Sequence, residues 1–213
     1  MNVDERMITY IRSLDRGENA LIRTIEQEAL AEHVPIIRKE TANVLKVLLR
    51  MKKPARILEV GAAVGFSSIL MSEYIEENAT ITTIEKFEPR ILKARENIRR
   101  AGKSHVITLL EGDALEIMKT LNPPFDFIFM DAAKGQYIHF LPEVMRLLAV
   151  GGVLVSDNVL QDGDIVESRY AVTRRNRTIH SRMREYLWEL KHSDALEPVV
   201  LPVGDGMTIS TRI

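Results

Sequence analysis

Cysteine is absent from the 213 residues of this sequence. Its absence excludes disulfides, thiolate metal sites and a cysteine nucleophile, so any bound metal must have oxygen or imidazole ligands. No apolar run approaches the roughly 20 residues of a membrane-spanning helix, and no charged and then apolar leader precedes a cleavage site. We therefore expect a soluble, cytoplasmic protein that contacts no membrane.

The sequence also has little net charge, −1 at pH 7. This argues against a protein that coats nucleic acid through bulk electrostatics. The charge is unevenly distributed, however, because the segment from Arg169 to Lys191 holds seven basic and two acidic residues. The basic residues are Arg169, Arg174, Arg175, Arg177, Arg182, Arg184 and Lys191. Such a run can contact a phosphate backbone or form the solvated face of a helix, and its composition leaves both interpretations open.

No internal repeat, low-complexity tract or flexible linker divides the chain, so we expect one domain over residues 1–213. Residues 1–51 are predicted to be helical and residues 56–213 to form an α/β core. One helical face is predicted to carry Ile37, Thr41, Val44, Leu45 and Leu48, with Pro35 in the first turn of that helix.

Short β-branched or apolar runs alternate with longer helical stretches after residue 56. The predicted strands are Arg56–Val60, Thr80–Ile84, Val106–Leu110, Phe125–Met130 and Val153–Ser156. The predicted helices are Ser67–Glu77, Pro89–Ala101, Ala114–Leu121 and Gln136–Leu148. This alternation predicts a doubly wound, mostly parallel sheet with helices on both faces. Pro198–Val203 and Met207–Ile213 flank a Gly-Asp-Gly turn, which predicts a C-terminal antiparallel hairpin at the edge of the sheet.

Residues that directly follow the strands are the functional candidates, because ligands bind beyond the carboxyl ends of such strands. Gly61 and Gly65 lie in the turn after the first strand, where glycine permits close approach of a ligand. Their Gly-x-x-x-Gly spacing differs from the Gly-x-Gly-x-x-Gly of pyrophosphate sites, which favours a cofactor without phosphates. Glu85 ends the second strand, where it can accept ribose hydroxyls, and Asp113 follows the third; taken alone, an acid at such a position is more often a helix cap or a surface charge.

The fourth and fifth strands end in Asp131 and in Asp157-Asn158. These three oxygen ligands suit a hard ion such as Mg²⁺, or Mn²⁺ in the same site. An ion there would lower the pKa of a coordinated hydroxyl, and Lys134 is placed to act as a general base. Helix caps and Asp-Asn turns are the alternative interpretation of these residues.

Taken together, the glycine turn, Glu85 and Asp113 resemble the class I methyltransferases. That resemblance implies S-adenosylmethionine as cofactor, closed over by Ile36 and Ile37 from the helix before the first strand. It implies contacts to the cofactor from Gly61, Ala62, Gly65, Ser67, Glu85, Asp113, Ala114 and Asp131.

From about Ile36 to the C terminus, the sequence resembles the catechol and caffeoyl-CoA O-methyltransferase group. The resemblance rests on Asp131-Ala132-Ala133-Lys134, Asp157-Asn158 and Gly204-Asp205-Gly206-Met207. In that group the matching residues ligate the metal and supply the catalytic lysine, so Lys134 and Asp131 are the expected catalytic residues. Relatives are often homodimers, and the N-terminal helices are the expected interface.

Within that group, the sequence is most similar to the bacterial enzymes that methylate 5-hydroxyuridine to 5-methoxyuridine at the tRNA wobble position. The similarity implies that O4 and O5 of the modified uracil approach the metal. It gives Arg174, Arg175 and Arg177 a function in holding anticodon phosphates, with Arg23, Arg38 and Arg182 as further candidates. Ala132 and Ala133 stand where catechol enzymes carry bulkier residues, which predicts a more open acceptor pocket.

Two alternatives remain at this point. A small catechol-like phenol could be the methyl acceptor, but it would not need the basic run from Arg169 to Lys191. A dehydrogenase-like nucleotide-binding domain would explain neither the spacing of the glycines nor the residues Asp131, Asp157 and Asn158.

Overall fold

A computed structural model describes residues 5–213, with the side chains of Glu5 and Asp162 left out. The first four residues of the predicted N-terminal helical segment lie outside this range. The helices are α1 (Glu5–Ser13), α2 (Ala20–Ala31), α3 (Lys39–Lys52), α4 (Phe66–Ser72), α5 (Glu88–Arg100), α6 (Ala114–Thr120), α7 (Tyr137–Leu147) and α8 (Arg177–His192). Two 3₁₀ helices span Lys134–Gln136 and Gln161–Val166.

Seven strands form one sheet in the order β3-β2-β1-β4-β5-β7-β6. The strands are β1 (Arg56–Val60), β2 (Thr80–Glu85), β3 (Ile107–Glu111), β4 (Phe125–Met130), β5 (Leu148–Asp157), β6 (Leu196–Leu201) and β7 (Met207–Arg212). The first five strands pair in parallel, whereas β7 pairs antiparallel with β5 and β6. The predicted fold class and the C-terminal hairpin at the sheet edge are confirmed.

Helices cover both faces of the sheet, so the strands alternate between two apolar layers. Ile57 of β1 packs with α2, α3 and α4, while its neighbour Leu58 packs with α7 and α8. Phe127 and Ile128 of β4 divide between the two layers in the same way. A sheet buried on both faces explains the nearly continuous apolar strands of the sequence.

The strand order reverses between β1 and β4, because the chain runs outward from β1 through β2 to β3 and then returns to pair β4 with β1. Loops that leave neighbouring strands at such a point separate to opposite faces of the sheet and leave a crevice. The ends of β1, β4 and β5 therefore lie around the crevice, and Asp131 N donates a hydrogen bond to Val60 O over 3.0 Å.

Several predicted boundaries are wrong. The helix predicted to include Ile37 begins at Lys39, and Pro35 and Ile37 lie in the extended segment before it. Helix α4 ends at Ser72 rather than at Glu77. Strand β5 begins at Leu148 rather than at Val153, because Leu148 pairs with Phe125 and the register then shifts before Val153 pairs with Phe127.

Within the described residues, no helix combines the length and the apolar composition that crossing a bilayer requires.

Candidate active site

The turn after β1 brings the backbone of β1 against the backbone of β4. Gly61 has φ +106°, and a Cβ on it would lie 2.1 Å from Asp131 O. No side chain fits there without displacing the start of the Asp131 loop, so glycine is required by space as well as by conformation. Gly65, with φ +79°, precedes α4 as its N-cap, and there the backbone conformation alone favours glycine.

A cavity of about 630 Å³ opens beyond these strand ends. It is lined by many of the residues predicted to bind cofactor or metal or to act in catalysis: Ile36, Gly61, Glu85, Asp113, Ala114, Asp131, Lys134, Asp157 and Asn158. Four predicted cofactor contacts do not line it. Ile37 and Ala62 are buried in the core, Gly65 caps α4, and the Ser67 hydroxyl is used elsewhere.

Glu85 is almost completely buried at the end of β2, with 8% of its surface exposed. Its carboxylate accepts hydrogen bonds from three backbone amides, those of Ala63 (2.8 Å), Lys86 (3.0 Å) and Phe87 (3.0 Å). A carboxylate has about four lone-pair sites, so Glu85 retains capacity to accept a further hydrogen bond inside the cavity. The amides hold this side chain in one orientation and tie the glycine turn to the β2 loop.

Asp113 is the N-cap of α6, the helix-capping function that was the alternative interpretation of this acid. Its Oδ1 accepts from Leu115 N over 3.0 Å, and its Oδ2 lies 3.6 Å from the ammonium of Lys86. The side chain is half-exposed at the mouth of the cavity, so capping and ligand contact are compatible at this position.

Glu59 is a buried acid beneath the glycine turn that the sequence pattern did not single out. It is fully buried and accepts hydrogen bonds of 2.5 Å from both Ser67 Oγ and Thr83 Oγ1. Complete burial raises the pKa of Glu59 to about 7, against the opposing effect of these two hydroxyls. Ser67 therefore supports the turn from below instead of lining the cavity.

The ends of β4 and β5 bring Asp131, Asp157 and Asn158 together, as the sequence predicted. Asn158 Nδ2 donates to Asp131 Oδ1 over 3.2 Å. Asp157 Oδ1 accepts from Asn158 N (2.9 Å) and from Thr41 Oγ1 (3.2 Å). Asn158 has φ +61°, a left-handed conformation that asparagine tolerates better than most residues.

Electrostatics at these strand ends favour a bound cation. Burial, followed by the charges of Asp157 and Glu59, raises the pKa of Asp131 to about 7. Burial also raises the pKa of Asp157, although hydrogen bonds from Asn158 N and Thr41 oppose the shift. Within residues 5–213, no three acidic or histidine side chains are placed to ligate one ion. The candidate donors for a divalent ion are the carboxylates of Asp131 and Asp157 and the amide oxygen of Asn158, ligand types that Mg²⁺ and Mn²⁺ accept.

Tyr137 fixes the spacing of these two strand ends. Its hydroxyl lies 3.1 Å from both Met130 O and Asp157 O and can donate its hydrogen to either. It also accepts from Ala132 N over 3.3 Å. The ring is fully buried and packs edge-on against Tyr186 at 5.5 Å. One phenol thus joins the backbone of both loops that carry the candidate metal ligands.

Lys134 is paired with Asp205, a residue of the loop between β6 and β7. Lys134 Nζ lies 2.9 Å from Asp205 Oδ2, and the Asp205 side chain is only 3% exposed. The sequence placed Lys134 in the site but gave Asp205 no function. The C-terminal hairpin therefore contributes a charged group to the cavity.

The predicted RNA-contacting arginines occupy several different environments. Arg174 and Arg175 are exposed on the turn before α8, while Arg177 lies over the Tyr170 ring at 5.9 Å and contacts the Tyr170 and Val172 carbonyls. Arg182 donates to Gly135 O over 3.2 Å, and Arg38 lines the cavity. Arg23 is exposed on α2.

The sequence is similar to those of a known protein family. A family model described as O-methyltransferase matches residues 16–213. A caffeoyl-CoA O-methyltransferase from Medicago sativa is 29% identical over 208 residues, which cover 88% of this chain and 83% of the relative.

Solved structures have the same fold. A Staphylococcus aureus protein, provisionally assigned as a caffeoyl-CoA O-methyltransferase, superimposes with a TM-score of 0.89 at 29% identity, covering 96% of this chain and 98% of that one. An O-methyltransferase of tomaymycin synthesis from Streptomyces achromogenes, in complex with S-adenosylmethionine, has a TM-score of 0.86 at 24% identity, covering 100% and 99%. At that identity the second likeness shows the fold alone.

The buried Glu59 predicts a pH-dependent effect of the Glu59→Gln substitution on stability. In the unfolded chain a glutamate titrates near 4.5, whereas in the folded chain the pKa of Glu59 is about 7. The wild type therefore loses stability as the pH rises from about 4.5 to about 7, by about 3 kcal/mol. A glutamine cannot ionise, so the free energy of unfolding of the variant should rise relative to that of the wild type between pH 4.5 and pH 7. Urea denaturation at pH 4.5 and pH 8 measures the difference, and parallel pH profiles for the two proteins would contradict the buried, protonated state.

Proposed function

Because the chain belongs to the O-methyltransferase family, we propose that it transfers a methyl group from S-adenosylmethionine to a hydroxyl oxygen with the help of a divalent cation. The observation that carries this proposal is that Asp131, Asp157 and Asn158 line the same cavity as Gly61 and Glu85. We further propose that the acceptor is 5-hydroxyuridine at the wobble position of tRNA. A dehydrogenase-like function is excluded by the family.

The cofactor part of the proposal is supported by space and by charge. Gly61 lines the cavity without a side chain, and Glu85 and Asp113 offer carboxylate oxygens at the neighbouring strand ends. When bound, S-adenosylmethionine supplies a methyl group on a positively charged sulfonium. Glu85 would orient the ribose, while the acidic groups at the ends of β4 and β5 favour a cation nearby.

The metal part of the proposal is supported by the donor set. Asp131, Asp157 and Asn158 would hold Mg²⁺ or Mn²⁺ and leave coordination positions for two adjacent acceptor oxygens. When bound, the ion lowers the pKa of an acceptor hydroxyl so that the oxygen is an anion during transfer. Tyr137 would keep the two carboxylate loops at a constant separation through its contacts with Met130 O and Asp157 O.

Lys134 is the proposed acceptor of the hydroxyl proton. As a neutral amine, Lys134 Nζ would take the hydroxyl proton, and Asp205 Oδ2, 2.9 Å away, would then hold the resulting ammonium. The residual work of the protein is alignment, since an in-line displacement at the methyl group needs the acceptor oxygen directly opposite the sulfur. Asp131 would contribute to positioning both the cofactor and the acceptor, because it borders the glycine turn as well as the candidate metal site.

The choice of a tRNA acceptor is supported by the basic segment and by the open pocket. Arg174 and Arg175 are exposed, and the small side chains of Ala132 and Ala133 line the cavity. The caffeoyl-CoA relatives favour a second candidate, a small catechol-like phenol. Such a phenol does not account for the exposed arginines.

A homodimer is proposed as the working assembly. Helix α1 and the residue that follows it expose several large apolar side chains: Met7 (54%), Tyr10 (65%), Ile11 (55%) and Leu14 (62%). Exposed apolar groups on adjacent turns of one helix are typical of protein interfaces.

The metal requirement is tested by Asp157→Ala. The substitution removes one of two carboxylate ligands, so methyl transfer should fall by about a hundredfold or more, in line with the several kcal/mol that a catalytic metal supplies. Cofactor affinity measured by calorimetry should change little, and EDTA should reproduce the loss in the wild type. Asp194→Ala, which removes an exposed aspartate after α8, is the matched control. Transfer that is indifferent to EDTA would rule out metal assistance.

The acceptor is tested with tRNA from a strain that lacks this gene. Mass spectrometry of its nucleosides should show 5-hydroxyuridine in place of 5-methoxyuridine, and adding the purified protein with S-adenosylmethionine and Mg²⁺ should convert one into the other. Caffeoyl-CoA, offered in parallel, is the alternative acceptor. An unchanged 5-methoxyuridine content in the strain, together with methylation of caffeoyl-CoA, would replace the tRNA proposal with the phenolic one.

A further inference from the structure

A second groove, separate from the candidate active site, lies between α8 and the segment that follows the second 3₁₀ helix. Its volume is about 400 Å³. The groove is lined by Glu167, Ser168, Arg169, His180, Ser181 and Arg184. Two guanidiniums, two hydroxyls and an imidazole thus converge on one space, a composition rich in hydrogen-bond donors.

His180 gives the first sign that this groove binds a ligand. The side chain is 98% buried, since only 2% is exposed, and its Nε2 lies 3.2 Å from Glu167 O. A carbonyl oxygen can only accept, so Nε2 carries the hydrogen of that bond. The other ring nitrogen, Nδ1, is buried without a hydrogen-bond partner among the described residues. Unsatisfied buried polar atoms are rare in native proteins. With the hydrogen on Nε2, Nδ1 is an acceptor, so it calls for a donor such as a ribose hydroxyl beside the phosphate and not for a phosphate oxygen.

The charges of the groove indicate an anion. Neither Arg169 nor Arg184 forms an ion pair with a carboxylate in the described part of the chain. Arg184 Nη1 donates to Ile165 O over 3.2 Å, which orients the guanidinium. Ser168 Oγ accepts from Tyr170 N over 3.1 Å and keeps its own hydrogen to donate. Guanidiniums and hydroxyls arranged in this way match the oxygens of a phosphate.

The groove is close to the candidate active site along α8. Ile179 and Arg182, on the adjacent face of this helix, contact Gly135, which follows Lys134 in the chain. His180 and Arg184, about one helical turn apart, face the groove on the other flank. A polymer that placed one residue in the cavity at Lys134 would therefore pass its neighbouring units over this part of α8.

We propose that this groove binds a backbone phosphate of the acceptor RNA, next to the nucleotide whose base enters the active-site cavity. The inference rests on the proposed tRNA function and adds to it a defined phosphate contact that involves Ser168, Arg169, Ser181 and Arg184. Glu167 is the acidic residue that lines the groove, and its exposed carboxylate repels a phosphate. Removing this charge should therefore raise the affinity of the groove for RNA.

The test uses a fluorescently labelled anticodon stem-loop that contains 5-hydroxyuridine, with binding followed by anisotropy over a range of salt concentrations. Arg169→Gln should weaken binding about fivefold to tenfold near 0.1 M salt and lower the salt slope by about one, as expected for the loss of one phosphate contact. Glu167→Gln should strengthen binding, because it removes a negative charge and leaves the carbonyl that holds His180. Arg99→Gln, which removes an exposed arginine at the end of α5, is the matched control and should behave as wild type.

The outcomes separate this proposal from the proposed function. If the wild type methylates the RNA, but Arg169→Gln and Glu167→Gln bind it with the affinity and salt slope of Arg99→Gln, the groove assignment is wrong and the tRNA function stands. If the wild type neither binds nor methylates the RNA, both fail. Inorganic phosphate is the remaining probe: it should compete with RNA for the wild type and much less for Arg169→Gln. Phosphate that binds in the groove without displacing RNA would point to a free phosphate ligand and would overturn the RNA contact.

Discussion

The structure depends on one electrostatic constraint, the confinement of two carboxylates at the adjoining ends of β4 and β5. Parallel pairing of these strands, from Phe127 with Val153 to Met130 with Ser156, leaves Asp131 and Asp157 no freedom to separate. Tyr137 reinforces the constraint by bridging the backbone of both loops. Burial and mutual repulsion raise the pKa of Asp131 to about 7. The fold therefore maintains an arrangement that is unfavourable by itself and that a cation would stabilise.

The rest of the crevice is built around this acidic centre. Glu59 adds a third buried carboxyl below the glycine turn, and its charge contributes to the raised pKa of Asp131. Glu85 lies at the next strand end, where backbone amides rather than cations compensate its carboxylate. A site with this excess of acidic groups suits two positively charged partners, a sulfonium and a metal ion. A basic side chain also lines this cavity, since the ammonium of Lys134 pairs with Asp205.

The sequence was sufficient for the features that depend on strand ends. Apolar runs bounded by turn residues were enough to predict β1 and β4. Acidic residues at the ends of predicted strands were enough to predict that Glu85, Asp131 and Asp157 line the site, because a residue's position along its own strand determines where it lies in the sheet. Local sequence was not sufficient where contacts between residues far apart in the sequence determine an element's bounds or a side chain's partners. Ile37 follows the helical periodicity of α3 but lies before its first turn. The predicted cofactor contact of Ser67 is untested, but its hydroxyl donates to the buried Glu59. Nothing local in the sequence indicates that Tyr137 joins two loops, since that contact exists only after β5 has paired with β4.

Proton release on metal binding tests the acidic centre most directly. Calorimetric titration of Mg²⁺ into the protein, in buffers with different ionisation enthalpies, counts the protons released per ion. Since the pKa of Asp131 is about 7, about half a proton should be released per ion at pH 7 and little at pH 9, where the carboxyl is already ionised. The Asp131→Asn variant should lose both the release and most of the affinity. Binding of Mg²⁺ with the same proton count in both proteins, or no binding by the wild type at either pH, would contradict the account.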